Sequence, residues 1–163
     1  MLDDLTNLQA LLKDSTLLAT RGYIAGEWCD GENGQTFPVY NPARGDVITD
    51  VADISRTQTA EAISIAEKAQ KLWAARPAKE RSNLLRNWYN LMMENQEDLA
   101  TILTAEQGKP LEEAKGEIAY GASFIEFFAE EAKRVYGETI PGHQSDKRIT
   151  VLKQPVGVAA SIT

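Results

Sequence analysis

Ile149-Thr150-Val151-Leu152-Lys153-Gln154-Pro155-Val156-Gly157-Val158-Ala159-Ala160-Ser161-Ile162-Thr163 is the stretch on which the fold turns. Pro155 divides it. The first piece is mixed: Ile149, Val151 and Leu152 are apolar, while Lys153 and Gln154 are polar. The second, Val156 to Thr163, is small and apolar almost throughout and carries no charge. A short uncharged run suits a strand covered on both faces, as in a parallel sheet. Such a strand needs neighbours beside it and helices over its faces. Sheets of that kind place ligands at the carboxyl ends of their strands, and the sequence stops at Thr163 before a loop or helix follows. The expectation is either a docked terminal strand or the front part of a longer α/β enzyme.

Outward from that stretch, composition sets broad bounds. A length of 163 residues suits one domain with a sizeable core. An apolar fraction of 43% and a charged fraction of 25% are ordinary for a globular protein. The net charge of -7 argues against nucleic acid or an anionic membrane as the main partner. No run of about 18 apolar residues is present to span a membrane. Asp3 and Asp4 stand where a signal peptide would be basic. The single cysteine, Cys29, cannot form an internal disulfide, which fits a reducing cytoplasm.

Along the chain, Leu2, Leu5, Leu8 and Leu12 share one face of a short amphipathic helix. Gly22 to Trp28 is a strand candidate, followed by the turn signals Asp30-Gly31 and Asn33-Gly34. Thr36 to Tyr40 is expected to return as its partner, with Pro38 holding it at an edge. Val47 to Val51 is a third short strand. The region reads as a β-meander, plain or oligomer-forming. From Ser55 the period becomes helical. Ser55-x-x-Gln58 is a capping box, with Thr57 a rival cap. Ile63, Ala66 and Trp73 form a stripe that ends at Pro77. A second helix, about Ala78 to Asn95, turns Leu84, Leu85, Trp88, Leu91 and Met92 inward. A third, about Glu97 to Gln107, uses Leu99, Ile102 and Leu103 and stops at Gly108. The fourth runs from about Pro110 to Tyr136, with Gly137 as its cap. Gly116 and Gly121 interrupt it at about 1 kcal/mol each relative to alanine, so close backbone contact is expected there. Tyr120, Phe124, Phe127 and Phe128 form an aromatic stripe, read as core or as one wall of a small-molecule cavity. Gly142 to Arg148 is a polar loop.

Chemistry is sparse. His143, the only histidine, lies in that loop with no second metal ligand near it in sequence, so no metal site is expected. Cys29 has no flanking His or Lys to activate it. No G-x-x-x-x-G-K-[ST] occurs, and Gly26, Gly31 and Gly34 do not make a dinucleotide fingerprint. Glu112-Glu113 are neighbours on a helix surface, which is no acid/base dyad. Glu106-Gln107-Gly108-Lys109-Pro110 reads as a helix stop. Composition and spacing alone support no enzymatic activity.

Several segments nevertheless match a known pattern. Gly26-Glu27-Trp28, Asn41-Pro42-Ala43, Glu106 to Pro110 and Lys153 to Val158 occur in order and at sensible spacing. From about Gly22 onward the chain resembles the N-terminal part of an aldehyde dehydrogenase. Arg86 to Glu94, Ala114 to Ala132 and Tyr136 to Lys147 resemble the bacterial succinate-semialdehyde dehydrogenase branch. The resemblance implies an incomplete α/β fold: helices, a β-hairpin arm and the first strand of a Rossmann-like sheet. It implies an N-terminal extension at 1–20, a helical part of the cofactor domain at 21–154 with oligomerisation-arm strands at 21–40 and 148–154, and the start of the cofactor-binding sheet at 155–163.

The resemblance also implies oxidation of an aldehyde to an acid with NAD or NADP. In such enzymes a cysteine thiolate attacks the carbonyl, hydride passes to nicotinamide and a glutamate activates the hydrolytic water. Succinate semialdehyde, met in 4-aminobutyrate degradation, is the expected substrate and glutarate semialdehyde the rival. Ile162 and Thr163 match positions beneath the nicotinamide side of the cofactor, touching it mainly through backbone and van der Waals contact. Tyr120 matches the wall of the substrate tunnel, with Gly116 and Phe124 one turn either side. A cytoplasmic homo-oligomer, dimer or tetramer, is implied. Cys29 is not the family nucleophile. That cysteine, the catalytic glutamate, the adenosine-binding parts and the substrate-carboxylate arginine all lie downstream. This polypeptide alone is therefore expected to be inactive, with apolar surface left exposed. The alternatives are a non-catalytic subunit acting in assembly and an unrelated helical interaction domain.

Overall fold

The computed structural model describes residues 8–162. Leu2 and Leu5 of the expected first helix lie outside them. Leu8 and Leu12 are both buried, Leu8 within the short helix α1 (Leu8–Leu11).

The first hairpin comes from a turn hidden inside an expected strand. Ala25 and Gly26 both take positive φ, 57° and 88°, which is the backbone of a two-residue hairpin turn. Gly22 to Trp28 is therefore two strands, β1 (Gly22–Ile24) and β2 (Glu27–Cys29), with Tyr23 opposite Trp28. Asp30-Gly31 and Asn33-Gly34 instead shape a 3-10 turn over Glu32–Gly34. A side chain at Gly31 would meet the carbonyl of Gln35, so only glycine fits there. β3 (Thr36–Tyr40) pairs with β4 (Val47–Ala52), not with the first strand. Its turn is fastened by Asn41, whose Oδ1 accepts from Ala43 N at 2.9 Å.

The helices follow their stop signals closely. Ser55 and Gln58 close both halves of the capping box on α2 (Arg56–Ala75). Gln58 Nε2 also donates to Asp30 O at 2.9 Å, tying the helix to the preceding turn. α3 (Ala78–Glu94) starts after Pro77, and α4 (Gln96–Gln107) ends at Gly108 in the left-handed region, φ 77°. α5 (Leu111–Glu131) follows Pro110 and passes into a 3-10 turn at Ala132–Arg134. Gly137 does not cap it. It lies against the carbonyl of Val151, where β5 (Glu138–Pro141) pairs antiparallel with β6 (Arg148–Val151).

α3, α4 and α5 pack as one layer, and its seam is built from small residues. Ser82, Ala100, Thr101, Ala105, Ala114, Ala122 and Ala129 are buried. Small side chains let helix backbones approach closely, and the close-packed seam replaces a core of large side chains. Of the residues expected inward on α3, Leu85 and Met92 are half-buried, while Leu84, Trp88 and Leu91 are exposed. The stripe facing the layer is Ser82, Leu85, Tyr89 and Met92, at helical spacing. α2 has no buried residue, and Ile63 and Trp73 are exposed.

The expected strand at 156–163 is not formed among its described residues. Residues 152–162 carry no strand or helix, and Val156 is 100% exposed. A strand is held by hydrogen bonds to neighbouring strands, and no described strand lies beside this piece. The sheets are three separate two-stranded hairpins.

Candidate functional site

α5 places the expected tunnel residues in one line. Gly116, Tyr120 and Phe124 are four residues apart and so share a face of the helix. The Tyr120 and Phe124 rings meet edge to face, centroids 4.8 Å apart. Phe127 and Phe128 form a second edge-to-face pair at 5.3 Å. Tyr120 is 65% exposed and Phe124 48%. The aromatic stripe is thus exposed along its length among the described residues. Nothing lies within 4 Å of a Cβ built on Gly116 or Gly121, so the close backbone contact expected at both glycines is absent among the described residues.

Ion pairs hold this wall to the rest of the layer. Arg86 of α3 reaches two turns of α5, pairing with Glu126 and with Glu130 at 2.7 Å. Its guanidinium also stands 5.3 Å from the centre of the Tyr89 ring. Glu126 and then Glu130 keep that guanidinium's proton more firmly than usual. Lys133, and after it Arg86, hold the Glu130 carboxyl below its ordinary value. Lys115 bridges Glu97 of α4 at 2.9 Å and Glu112 of α5 at 3.0 Å, which raises its ammonium group. Lys109 pairs with Glu117. Partial burial pushes the Glu106 carboxyl up. Arg86 and Lys115 tie α5 to α3 and α4, and their partners lie within this chain.

Two of the recognised segments touch. A Cβ on Gly108 would sit 3.1 Å from Pro42 Cγ. The end of α4 therefore packs on the turn between β3 and β4, joining Asn41-Pro42-Ala43 to Glu106-Gln107-Gly108-Lys109-Pro110. No local pattern in either segment announces this pairing. Sequence reading also missed Arg86 and Asp98. The spacing of Glu126 and Glu130 by four residues was the visible signal for the first; nothing marked the second.

Other candidates stay apart from this wall. Cys29 Sγ is half-buried and donates a long bond, 3.4 Å, to Gly22 O. His143 borders an open groove with Thr139, Gln144, Ser145 and Arg148. Among the described residues no three His, Cys, Asp or Glu side chains are grouped to hold a metal ion. Ile162 is 98% exposed, and Thr163 lies outside the described residues. A dinucleotide needs a cradle of backbone N–H groups and a helix N-terminus. The segment leading to Ile162 has neither helix nor strand. A 340 Å³ groove between α2 and residues 153–155 is lined by Trp73, Arg81 and Lys153 and includes none of the tunnel residues. Among the described residues no helix is long and apolar enough to cross a membrane.

Residues 28–163 match the family model described as "Aldehyde dehydrogenase family". The glutarate-semialdehyde dehydrogenase of Pseudomonas putida is 61% identical over 152 residues, covering 93% of this chain and 32% of that protein. The succinate-semialdehyde dehydrogenase (NADP(+)) of Escherichia coli is 57% identical, again over 93% of this chain and 32% of its own length. Among solved structures, succinate-semialdehyde dehydrogenase from Burkholderia pseudomallei superposes with a TM-score of 0.86 at 51% identity, covering 90% of this chain and 30% of that one. The chain spans about a third of the length of the curated relatives it matches.

Proposed function

The chain belongs to the aldehyde dehydrogenase family, and from that premise we propose that the whole protein oxidises succinate semialdehyde to succinate, using NAD or NADP. The observation that carries the reading is the Gly116-Tyr120-Phe124 stripe, an apolar wall left open on a helix whose other face is closed. An aldehyde with a short methylene chain needs such a wall for its apolar stem. Tyr120 and Phe124 supply ring surface along it, and Gly116 leaves room beside them. A wall of this kind excludes water and orients the aldehyde.

In this reading the first 20 residues are an extension, residues 21–154 build the helical layer and the arm, and 155–163 begin the cofactor sheet. The strands at 21–40 and 148–154 pair subunits of a homo-oligomer. Ile162 and Thr163 come to lie against the cofactor once neighbouring strands cover them. We assign no catalytic residue to this stretch: Cys29 has no base beside it and is tied up in a hairpin. The 163-residue chain alone is then inactive, and the whole protein works in the cytoplasm.

Glutarate semialdehyde is the second reading, favoured by the 61% identity to the Pseudomonas putida enzyme. The two substrates differ by one methylene, worth about 1–3 kcal/mol in a fitted pocket. The test is kcat/KM of the whole protein for both, with wild type and Tyr120→Ala. The reading expects a higher value for succinate semialdehyde and a raised KM in the variant. Unchanged KM for both aldehydes would remove Tyr120 from the wall. Turnover by the 163-residue chain alone would overturn the assignment of no catalytic group here.

A further inference from the structure

We propose that residues 8–14 form a detachable strap, seated on α4 by two leucines and one carboxylate, which opens as a unit separate from the three-helix layer. Leu8 and Leu12 are the only large apolar side chains in the buried core of the described residues. One turn of helix brings them to the same side, and α1 packs on α4. Beside them, Asp98 in the first turn of α4 is only 4% exposed. Its Oδ1 accepts from Lys13 N at 3.1 Å and its Oδ2 from Asp14 N at 2.8 Å. Both carboxylate oxygens are thus spent on two successive amides more than eighty residues away in sequence. A carboxylate receiving backbone N–H groups is among the stronger hydrogen-bonding arrangements.

The strap is bounded on its far side. Asp14 Oδ1 accepts from Thr16 N at 2.9 Å and Thr16 Oγ1 at 2.6 Å, closing a local turn. The backbone bonds at Leu17, Leu18 and Ala19 reach back only two or three residues. The next long-range tie is Ala52 N to Thr20 O, 2.8 Å. Between Asp14 and Thr20 the hydrogen bonds are all local among the described residues, with Leu17 and Leu18 half-buried, so the segment can serve as the hinge. A unit with few long-range ties, joined by a locally bonded hinge, opens at lower free energy than the body it rests on. Opening bares Asp98 and the α4 surface under the two leucines. The segment that fits there has the form Leu-x-x-x-Leu followed by two free amides, which this chain supplies itself.

Amide hydrogen exchange on the complete protein tests this. In wild type, Lys13 and Asp14 amides should exchange by a local route, indifferent to low denaturant, well before α5 amides. Asp98→Asn removes one acceptor and the charge, and protection at Lys13 and Asp14 should fall at least about tenfold with α5 unchanged. Leu12→Ala, which leaves the carboxylate in place, should give the same pattern. A parallel loss across α3 to α5 in both variants would make Asp98 a core element and end the proposal. Unchanged protection at Lys13 and Asp14 would end it equally.

Discussion

Replacing Gly116 by alanine sets two properties of α5 against each other. Glycine inside a helix costs about 0.5–1 kcal/mol relative to alanine, because the unfolded chain loses more freedom on folding. Nothing stands within 4 Å of the methyl that alanine would add. The substitution therefore gains the helix term with no steric charge against it. About 1 kcal/mol is a several-fold change in the folded-to-unfolded ratio. For a chain of this size it raises Tm by about 2–4 °C. Gly121 is equally open, and Gly121→Ala should add a similar amount. Urea unfolding of the 163-residue chain, followed by helix signal, measures both. Destabilisation by either alanine would mean that a neighbour already presses on this face, and the open wall would be lost as an idea. If Gly116 and Tyr120 line the substrate passage as proposed, the same Gly116→Ala change in the whole protein should raise KM for the aldehyde.

The opposite face of α5 should behave in the reverse sense: Ala122, fully buried in the seam, has no room, and Ala122→Leu should cost about 1–3 kcal/mol in the same unfolding assay. Gly108 and Gly45 both hold positive φ, 77° and 80°, so alanine strains either by about 1 kcal/mol. Only Gly108 also faces Pro42, hence Gly108→Ala should be the worse of the two, and equal losses would deny the contact between the turns. The two glutamates give opposite pH slopes. Burial lifts Glu106 above 4.5; its contribution is intact below 4.5 and is lost as pH rises through the folded value, so Glu106→Gln should raise the neutral-pH stability. Glu130 is held below 4.5; its contribution is present above 4.5 and fades as pH falls through the folded value, so Glu130→Gln should flatten the acid side of the stability curve. Phe127→Ser, on the exposed stripe, should leave the urea midpoint nearly unmoved and reduce light scattering by concentrated chain.

How much of this was legible in the sequence depends on how far each signal reaches. Helix ends were written locally. Ser55 and Gln58, Pro77, Gly108 and Pro110 each mark a boundary by satisfying or denying a backbone group, and the helices obey them. Strand pairing was not local. Thr36 to Tyr40 was expected to return against Gly22 to Trp28, and the turn at Asn41 to Asp46 brings it to β4 instead. The choice was masked because Asn33-Gly34 looked like a hairpin turn, whereas Ala25-Gly26 made one. Alanine, the strongest helix former, gives no warning in sequence of a positive φ. Asp98 was silent, since its partners lie far along the chain, and Arg86 had only the spacing of Glu126 and Glu130 to announce it.

The candidate site was half legible, for a physical reason. α5 carries two apolar sets between its charged residues, the alanines and the aromatic rings, and each set calls for a cover. Sequence pattern reports that both faces are apolar but not which face each neighbour takes. The alanines decide it, because α3 and α4 can come close only where side chains are small. That choice forces Tyr120, Phe124, Phe127 and Phe128 outward together. Stability of the layer and availability of the wall are therefore one fact: a larger residue at Ala122 would push α5 off its seat and turn the rings with it. Ile162 has no such compulsion. No packed neighbour orients it among the described residues, so its proposed place beside a cofactor depends on strands that must come to meet it.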